Sequence, residues 1–447
     1  MTEFDRTTPL ERISQRELDA VLKRHELYRQ AKMGGARAVL SFFDLSGLDL
    51  SGRDLTSADL TGAVLQGADL RGVTLDYASV YGCNFGKANL QKARFLKTDM
   101  RGVFLGGADL TDAILEGADM RPGKIAERDR GGDLRVLSPQ DRGAQEWGAQ
   151  GRASEMQYAD FTGANLTNAR IAGGMAAYTK FNGAVMKGCE LARANLEGAD
   201  FTGANLEGAD LSWANLHNAT LRDALLSGAA IEMAELGNAD LEGALTDAPA
   251  GPTPDDLDAD FETLLERHAS WIATAGAKGR QLDVAGYDLR GLEASLVNAN
   301  LTAMVGSRMT LCGVDLSGAQ VQAAKLDGAD LRGCRMAGAD LRGADLSGAK
   351  LDHADLTGAM LRSLSLGAGG RMPTKLSNAR LRYARLGQAD LRDADLRAAD
   401  LTTADLTGAD LRGAGVEGAV FERAVLEGAK LDDAVRKVLG AKAGGRR

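Results

Sequence analysis

Large rings are scarce in this sequence. Phe, Tyr and Trp together make up 5% of 447 residues, although apolar residues as a whole reach 44%. Irregular cores draw much of their buried area from aromatic side chains, so a core here has to be assembled from small, regularly placed groups. Proline is rare, at 7 residues against 56 glycines, which excludes both a proline-rich linker and a collagen-like chain. The four cysteines, Cys83, Cys189, Cys312 and Cys334, show no CxxC spacing and so point to neither a disulfide framework nor a zinc site. No stretch approaches the roughly 18 apolar residues of a membrane helix. The opening MTEFDRTTPLERIS is charged and lacks the apolar stretch of a signal peptide. A cytoplasmic location without membrane contact is expected. Positive charge is not in excess either: Lys and Arg number 53 against 62 Asp and Glu, for a net charge of −9 and a pI near 5.2. That balance argues against general binding to nucleic acid or to an anionic membrane, both of which call for a basic surface.

What the sequence has in abundance is one pattern. Residues 339–358 divide into ADLRG, ADLSG, AKLDH and ADLTG. A five-residue phase, its centre a large apolar residue at nearly every place, runs from Leu45 to Met120, 16 times without a slip, then from Met156 to Leu241, and again from Leu296 to Leu431. Two places before each of these centres stands Ala, or rarely Cys or Val; an Asp, Asn or Lys lies between, and Gly often ends the five. Residues two apart on an extended chain face the same side, and Gly or Asn near the fifth place permits a bend. Each five therefore forms one short side with one corner, and a closed square needs four sides, or about 20 residues. Such self-similarity marks a repeat architecture.

The A(D/N)LXX units resemble the pentapeptide-repeat family over most of the chain, about 62 units across 41–435. The resemblance implies an all-β solenoid, a right-handed quadrilateral parallel β-helix, with centre and Ala side chains stacked inward. Cys83, Cys189 and Cys334 then fall at the inward small place, where a thiol behaves as a small hydrophobe. If coils stack every 20 residues, Asp315, Arg335, Asp355, Lys375 and Asp395 form one column of alternating charge, which cross-strand pairing favours. Arg342, Arg362 and Arg382 form another, a stack of three cations that needs lateral carboxylates such as Asp340, or an outside anion.

One stretch occurs twice. LKRHELYRQAKMGGAR (22–37) is echoed by LERHASWIATAGAKGR (265–280), which equates His25, Tyr28 and Arg37 with His268, Trp271 and Arg280. Each copy reads as a helix ahead of an array: SQRE (14–17) is a capping box, and Leu257, Phe261, Leu264, Leu265, His268, Trp271 and Ile272 share one helical face. The organisation is a duplicated module: an N-terminal helical cap (1–40), an array (41–120), a loop insertion (121–155), an array (156–245), a Pro- and Gly-containing linker (246–256), a second helical cap (257–280), an array (281–435) and a basic tail (436–447). The helices are expected to cover open coil ends; in the family such terminal helices also mediate homodimers. Both histidines are expected to pack at the helix-to-coil junction, since no nucleophile or carboxylate pattern accompanies them.

The sequence has no GxSxG, P-loop or HExxH motif, so a non-catalytic reading follows, with no cofactor or metal implied. Loops on rigid scaffolds often carry binding, which makes the 121–155 insertion, with only Leu134, Val136, Leu137 and Trp147 to anchor it, a candidate interaction surface. Regular solenoids dock other proteins along their faces, so a scaffold for unidentified protein partners is the first reading. The alternative comes from the quinolone-resistance members of the family, which mimic duplex DNA and bind DNA gyrase. The array at 156–245, with 11 acidic and 5 basic residues, favours it through residues such as Asp200 and Asp210. The array at 296–435, with 18 acidic and 17 basic residues, opposes it, because a near-neutral rod is a poor phosphate mimic.

Overall fold

The computed structural model describes residues 10–123, 126–128, 134–136, 154–292, 295–367 and 369–443. Its backbone is ordered by one rule: residues 20 apart pair in parallel, as in the succession Asp49, Asp69, Asn89 and Asp109. Within a pair, the Leu50 N–H donates to the Asp69 carbonyl at 2.8 Å and the Asp69 N–H donates back to the Leu48 carbonyl at 3.0 Å. Each five residues also close a tight turn, for instance Ala63 N–H to the Leu60 carbonyl at 2.9 Å. The corner residue lies in the left-handed region, with φ of 68° at Gly62 and 63° at Gly67. That backbone suits glycine and explains the Gly at the end of so many fives. Four such sides close one coil, and the chain is a repeat solenoid whose strands are mostly single-residue bridges.

The inward places are buried as the pattern requires. Leu50, Leu55, Leu60 and Leu65, with Ala63 and Ala68 between them, are all screened from solvent, as are Cys83, Cys189 and Cys334. Three rings of the first unit stack in the interior: Phe161, Phe181 and Phe201 form a ladder with centroids 5.2 and 5.0 Å apart.

The chain divides into two compact units, Met1–Asp247 and Ala248–Arg447. The first begins with β1 (Glu11–Arg12), which pairs in parallel with β2 (Phe43–Asp44), and α1 (Gln15–Arg29). After Gly123 the chain leaves the ladder and returns at Ser154, yet the ladder does not stop: Phe104 pairs with Glu155, Asp109 with Asp160 and Asp119 with Arg170. The arrays placed at 41–120 and 156–245 are thus one continuous coil, and the insertion leaves from one of its corners. Within it, β3 (Ala126–Arg128) and β4 (Leu134–Val136) pair antiparallel; Trp147 lies outside the described residues.

The second unit begins with a 3-10 turn (Pro254–Asp256) and α2 (Phe261–Ala273), and α3 (Asp433–Ala443) follows its last coil, straddling the boundary drawn at 435. Its coils are less uniform. In the first, Asp283 pairs with Val305, 22 positions on. Later, Asp345 pairs with Lys375, 30 positions on, because a hairpin of β5 (Leu364–Ser365) and β6 (Arg371–Met372) is inserted. The composition GAGGRMPTK (367–375) marks an interruption in the sequence, but a ten-residue insertion preserves a five-residue phase, so the phase alone reads it as one irregular side. Leu366, counted as an inward centre, sits on that hairpin and is 58% exposed.

Two expected columns are corrected by this hairpin. Asp355 stacks on Arg385, not Lys375, and the alternation continues as Asp315, Arg335, Asp355, Arg385 and Asp405. Ser363 N–H donates to the Arg392 carbonyl, while Arg382 accepts from His353 N–H. Arg342 and Arg362 are therefore continued by Arg392 and Arg412, and Arg382 belongs to a neighbouring column.

Candidate interaction surfaces

The acidic residue before each centre has a local task. Asp160 Oδ1 accepts from the Thr162 N–H at 3.0 Å, and Asp210 Oδ1 from the Ser212 N–H at 2.9 Å. Asp200 Oδ1 accepts from both the N–H and Oγ1 of Thr202, at 2.9 and 2.6 Å, while its Oδ2 accepts from Asn182 Nδ2 at 2.7 Å. These are Asx turns, in which a short carboxylate satisfies the N–H two residues on. Neither Asp200 nor Asp210 meets a basic side chain among the described residues, so both keep their negative charge. Their neighbours do not: Glu207 pairs with Lys187, and Asp240 with Arg222.

Where Arg follows the centre, the same carboxylate takes a fork of guanidinium bonds. Asp340 accepts from Arg342 Nε at 2.8 Å and from a terminal nitrogen at 2.6 Å. Burial alone would raise the Asp340 pKa, but the bonds from Arg342 hold it below the usual carboxylate value. Arg362 pairs with Asp390 at 3.2 Å, and Arg382 with Asp400 at 2.5 Å. The stacked arginines thus use lateral carboxylates, and the reading that invoked an outside anion loses its motive.

The helix-to-coil junctions share one construction. His25 Nδ1 accepts from the Ala38 N–H at 3.0 Å, and His268 Nδ1 accepts from the Leu282 N–H at 3.0 Å. Both rings are fully buried, and they stack on Tyr28 at 5.8 Å and on Trp271 at 5.7 Å. Gln15 adds a second tie in the first unit, donating to the Asp49 carbonyl and accepting its N–H, both at 2.9 Å. In the second unit the chain before α2 pairs instead, Asp288 N–H donating to the Pro252 carbonyl at 2.7 Å. The equivalence slips by one residue after the helix: Ala36 N–H donates to the Arg24 carbonyl, whereas it is Arg280 N–H that donates to the Arg267 carbonyl. Arg280 therefore takes the place of Ala36, not of Arg37. Arg37 lies 3.9 Å from Asp59, and Arg280 is 2.9 Å from Asp258.

Because each Nδ1 accepts a bond, the neutral ring carries its proton on Nε2, which faces the backbone carbonyl of Thr56 in His25 and of Thr302 in His268. Burial pushes both pKa values below their ordinary 6.5; at His25 Asp54 opposes that shift while Arg29 and Arg37 add to it. Above pH 6.5 neither state of the chain binds these protons, and the contribution is fully present. As pH falls below 6.5 the unfolded chain takes up protons that the folded chain refuses, and stability is lost. Amide exchange, corrected for intrinsic rates, is expected to show weaker protection of α1 and α2 at pH 5.5 than at pH 7.5, with Leu206 in the coil interior unchanged. Equal protection of the helices at both values would refute this assignment.

Sequence reasoning missed an exposed aromatic group. Tyr158 and Tyr178 stack with centroids 5.6 Å apart, at 70% and 50% exposure, and Trp213 is 56% exposed. All three occupy corners, with φ of 59°, 57° and 61°. Bulky residues are uncommon in that region, and the available signal was an aromatic residue at a place where glycine is the rule. The cysteines are buried thiols: Cys83 and Cys334 each donate to a carbonyl at 2.9 Å, and burial drives the Cys83 and Cys189 thiols well above their ordinary value.

A profile described as Pentapeptide repeats matches residues 36–121, 177–243, 322–362 and 374–435, more than half of the chain. A search among curated sequences finds no match. Among solved structures, a pentapeptide repeat protein from the Arabidopsis thaliana thylakoid lumen is 25% identical, with a TM-score of 0.20; the match covers 28% of this chain and 66% of that one. QnrB1, a plasmid-mediated fluoroquinolone resistance protein, is 20% identical with a TM-score of 0.30, covering 46% of this chain and 94% of its own. HetL of the cyanobacterium Nostoc sp. strain PCC 7120, involved in heterocyst differentiation regulation, is 21% identical with a TM-score of 0.12, covering 91% of this chain and 95% of its own.

Proposed function

The chain belongs to the pentapeptide-repeat family, and from that premise we propose that it is a non-catalytic cytoplasmic scaffold that docks other proteins. Its two units are right-handed quadrilateral β-helices, each led by a helix that covers the open end of its first coil. The histidine bonds to Ala38 and Leu282 and the Gln15 bonds to Asp49 support the covering role, since they supply partners to backbone groups that a bare coil end would leave unpaired. The same helices, engaged with their own coils, leave the coil faces and corners as the surface for partners.

The observation that carries the scaffold reading is the exposed aromatic set Tyr158, Tyr178 and Trp213, held on a rigid ladder of backbone bonds. Tyr and Trp give large contact area at low entropic cost and are enriched in binding hot spots. The gyrase reading rests on Asp200 and Asp210, which keep unneutralised charge; the ion pairs around Glu207 and Asp240 weaken it.

One comparison separates the two. Purified gyrase is expected to supercoil DNA at its normal rate with the protein in large excess. A variant with Tyr158, Tyr178 and Trp213 changed to Ser is expected to melt like wild type yet lose the proteins that wild type retains by affinity capture. Inhibition of gyrase that disappears on reversing Asp200, Glu207, Asp210 and Asp240 to Lys would replace the scaffold by the DNA mimic.

A further inference from the structure

The interior of the second unit contains a defect in its own pattern. Gly306 stands at a centre place, in line with Leu301 and Leu311, and its N–H makes the regular bond to the Lys325 carbonyl at 2.8 Å. The large inward side chain is therefore missing on that side. The small inward places on either side of it carry Met304 and Met309, where Ala319 and Ala324 show the usual residue; both methionines are buried. Met309 bends into the gap: a Cβ on Gly306 would lie 2.6 Å from its Sδ and 3.1 Å from Leu326 Cδ2.

The exchange does not fill the space. A cavity remains in the coil interior, within which the centre of a water-sized sphere can range over about 20 Å3; it is lined by Phe261 of α2 and by residues between Leu289 and Leu341, Met304, Met309, Leu311, Leu326 and Leu331 among them. All of its lining residues are apolar. The first unit has a comparable lapse, with Ala176 at a centre and Gly174 two places before it, but there Met156 and Ile171 take up the room, each with a side-chain carbon 3.0 Å from where a Cβ on Gly174 would lie. The second unit has no phenylalanine between Phe261 and Phe421 to fill its own gap.

A buried water needs two to four polar partners, and this site has none, so water is disfavoured and the lining atoms forgo dispersion contacts. The methionine sulfurs add a soft, polarizable wall. We propose that this cavity is a dry binding site for one small apolar guest without hydrogen-bonding groups, of about the size of a xenon atom.

The test uses the full chain and xenon as the probe. The 129Xe resonance is expected to shift with protein concentration for wild type. It is expected to lose that specific shift in Gly306→Leu/Met309→Ala, which restores the regular large-centre, small-inner pattern and should melt at or above the wild-type temperature. Leu326→Phe is a second filling variant for the case in which the first does not fold. In xenon-pressurised crystals the peak is expected beside Met304, Met309 and Leu326. A wild-type-like xenon shift in whichever filling variant folds, or an ordered water in the cavity, overturns the proposal.

Discussion

Phe181→Ala is expected to destabilise the first unit by about 3–5 kcal/mol, the range for removing a large side chain from a core that cannot collapse onto the hole. Phe181 is fully buried between Phe161 and Phe201, with centroids 5.2 and 5.0 Å away and ring planes within 19° and 9°. Truncation removes its own buried area and both stacked contacts, each of which adds to area burial. The coil walls are fixed by backbone bonds above and below, Phe181 N–H to the Asp200 carbonyl at 2.7 Å among them, so they cannot move inward to close the gap. Urea unfolding combined with amide exchange over 156–226 measures the effect and assigns it to the first unit. Phe181→Leu should lose much less, since it keeps most of the volume. A loss under about 1 kcal/mol for the alanine variant would mean that the ladder does not support the coil.

Arg332→Ala is expected to cost a similar amount, by a different mechanism. Arg332 is 1% exposed and Asp330 is 9% exposed, and the two are joined by bonds of 2.7 and 2.6 Å. Cys312 Sγ donates to the same carboxylate at 3.0 Å. Removing one member of a buried pair strands the other charge away from water, at about 3–5 kcal/mol, whereas replacing both by apolar residues is often close to neutral. Asp330→Leu/Arg332→Met should therefore recover most of the loss. Arg397→Ala is the control, because the Arg397 guanidinium that pairs with Asp395 is itself largely exposed and screened by solvent, so its removal should cost far less.

The pair also has a pH signature. Burial alone would raise the Asp330 pKa, but the bond and charge of Arg332 outweigh it and hold the group below its ordinary 3.8. A carboxylate with a depressed folded-state pKa contributes stability that is fully present above its unfolded value and is lost as pH falls below it. The gap between wild type and Arg332→Ala should accordingly narrow once the pH drops under 3.8. A constant gap would place the cost in lost packing instead of stranded charge.

Much of this was readable from residues. The Ser14–Glu17 capping box is present as written, with Ser14 N–H donating to Glu17 at 2.7 Å. The two histidines of the echoed stretch sit where a packed, hydrogen-bonded ring was expected. The DLR spacing also held a readable signal, since a carboxylate and a guanidinium two residues apart on one side can pair without any neighbour, as Asp340 with Arg342 and Asp410 with Arg412 do. The burial of Arg332 had no such signal, because DLRG at 330–333 is written like DLRG at 340–343.

By itself, the five-residue sequence period determined the side of the coil, its corner and its inward face. Those depend on contacts within a few residues: a turn bond from centre to next small residue, an Asx bond across two positions, a left-handed corner that favours glycine. Only the tertiary structure decided which side lies on which. Stacking is made by backbone bonds between residues 20, 22, 30 or 51 apart, as in Asp49 with Asp69, Asp283 with Val305, Asp345 with Lys375 and Phe104 with Glu155. A period of five repeats identically across a ten-residue hairpin, so the phase that identifies an inward leucine is blind to the coil beneath it. The column of Arg342, the place of Arg382 and the continuity of the ladder past Gly123 follow from those long-range bonds, which form with whichever side the chain brings next.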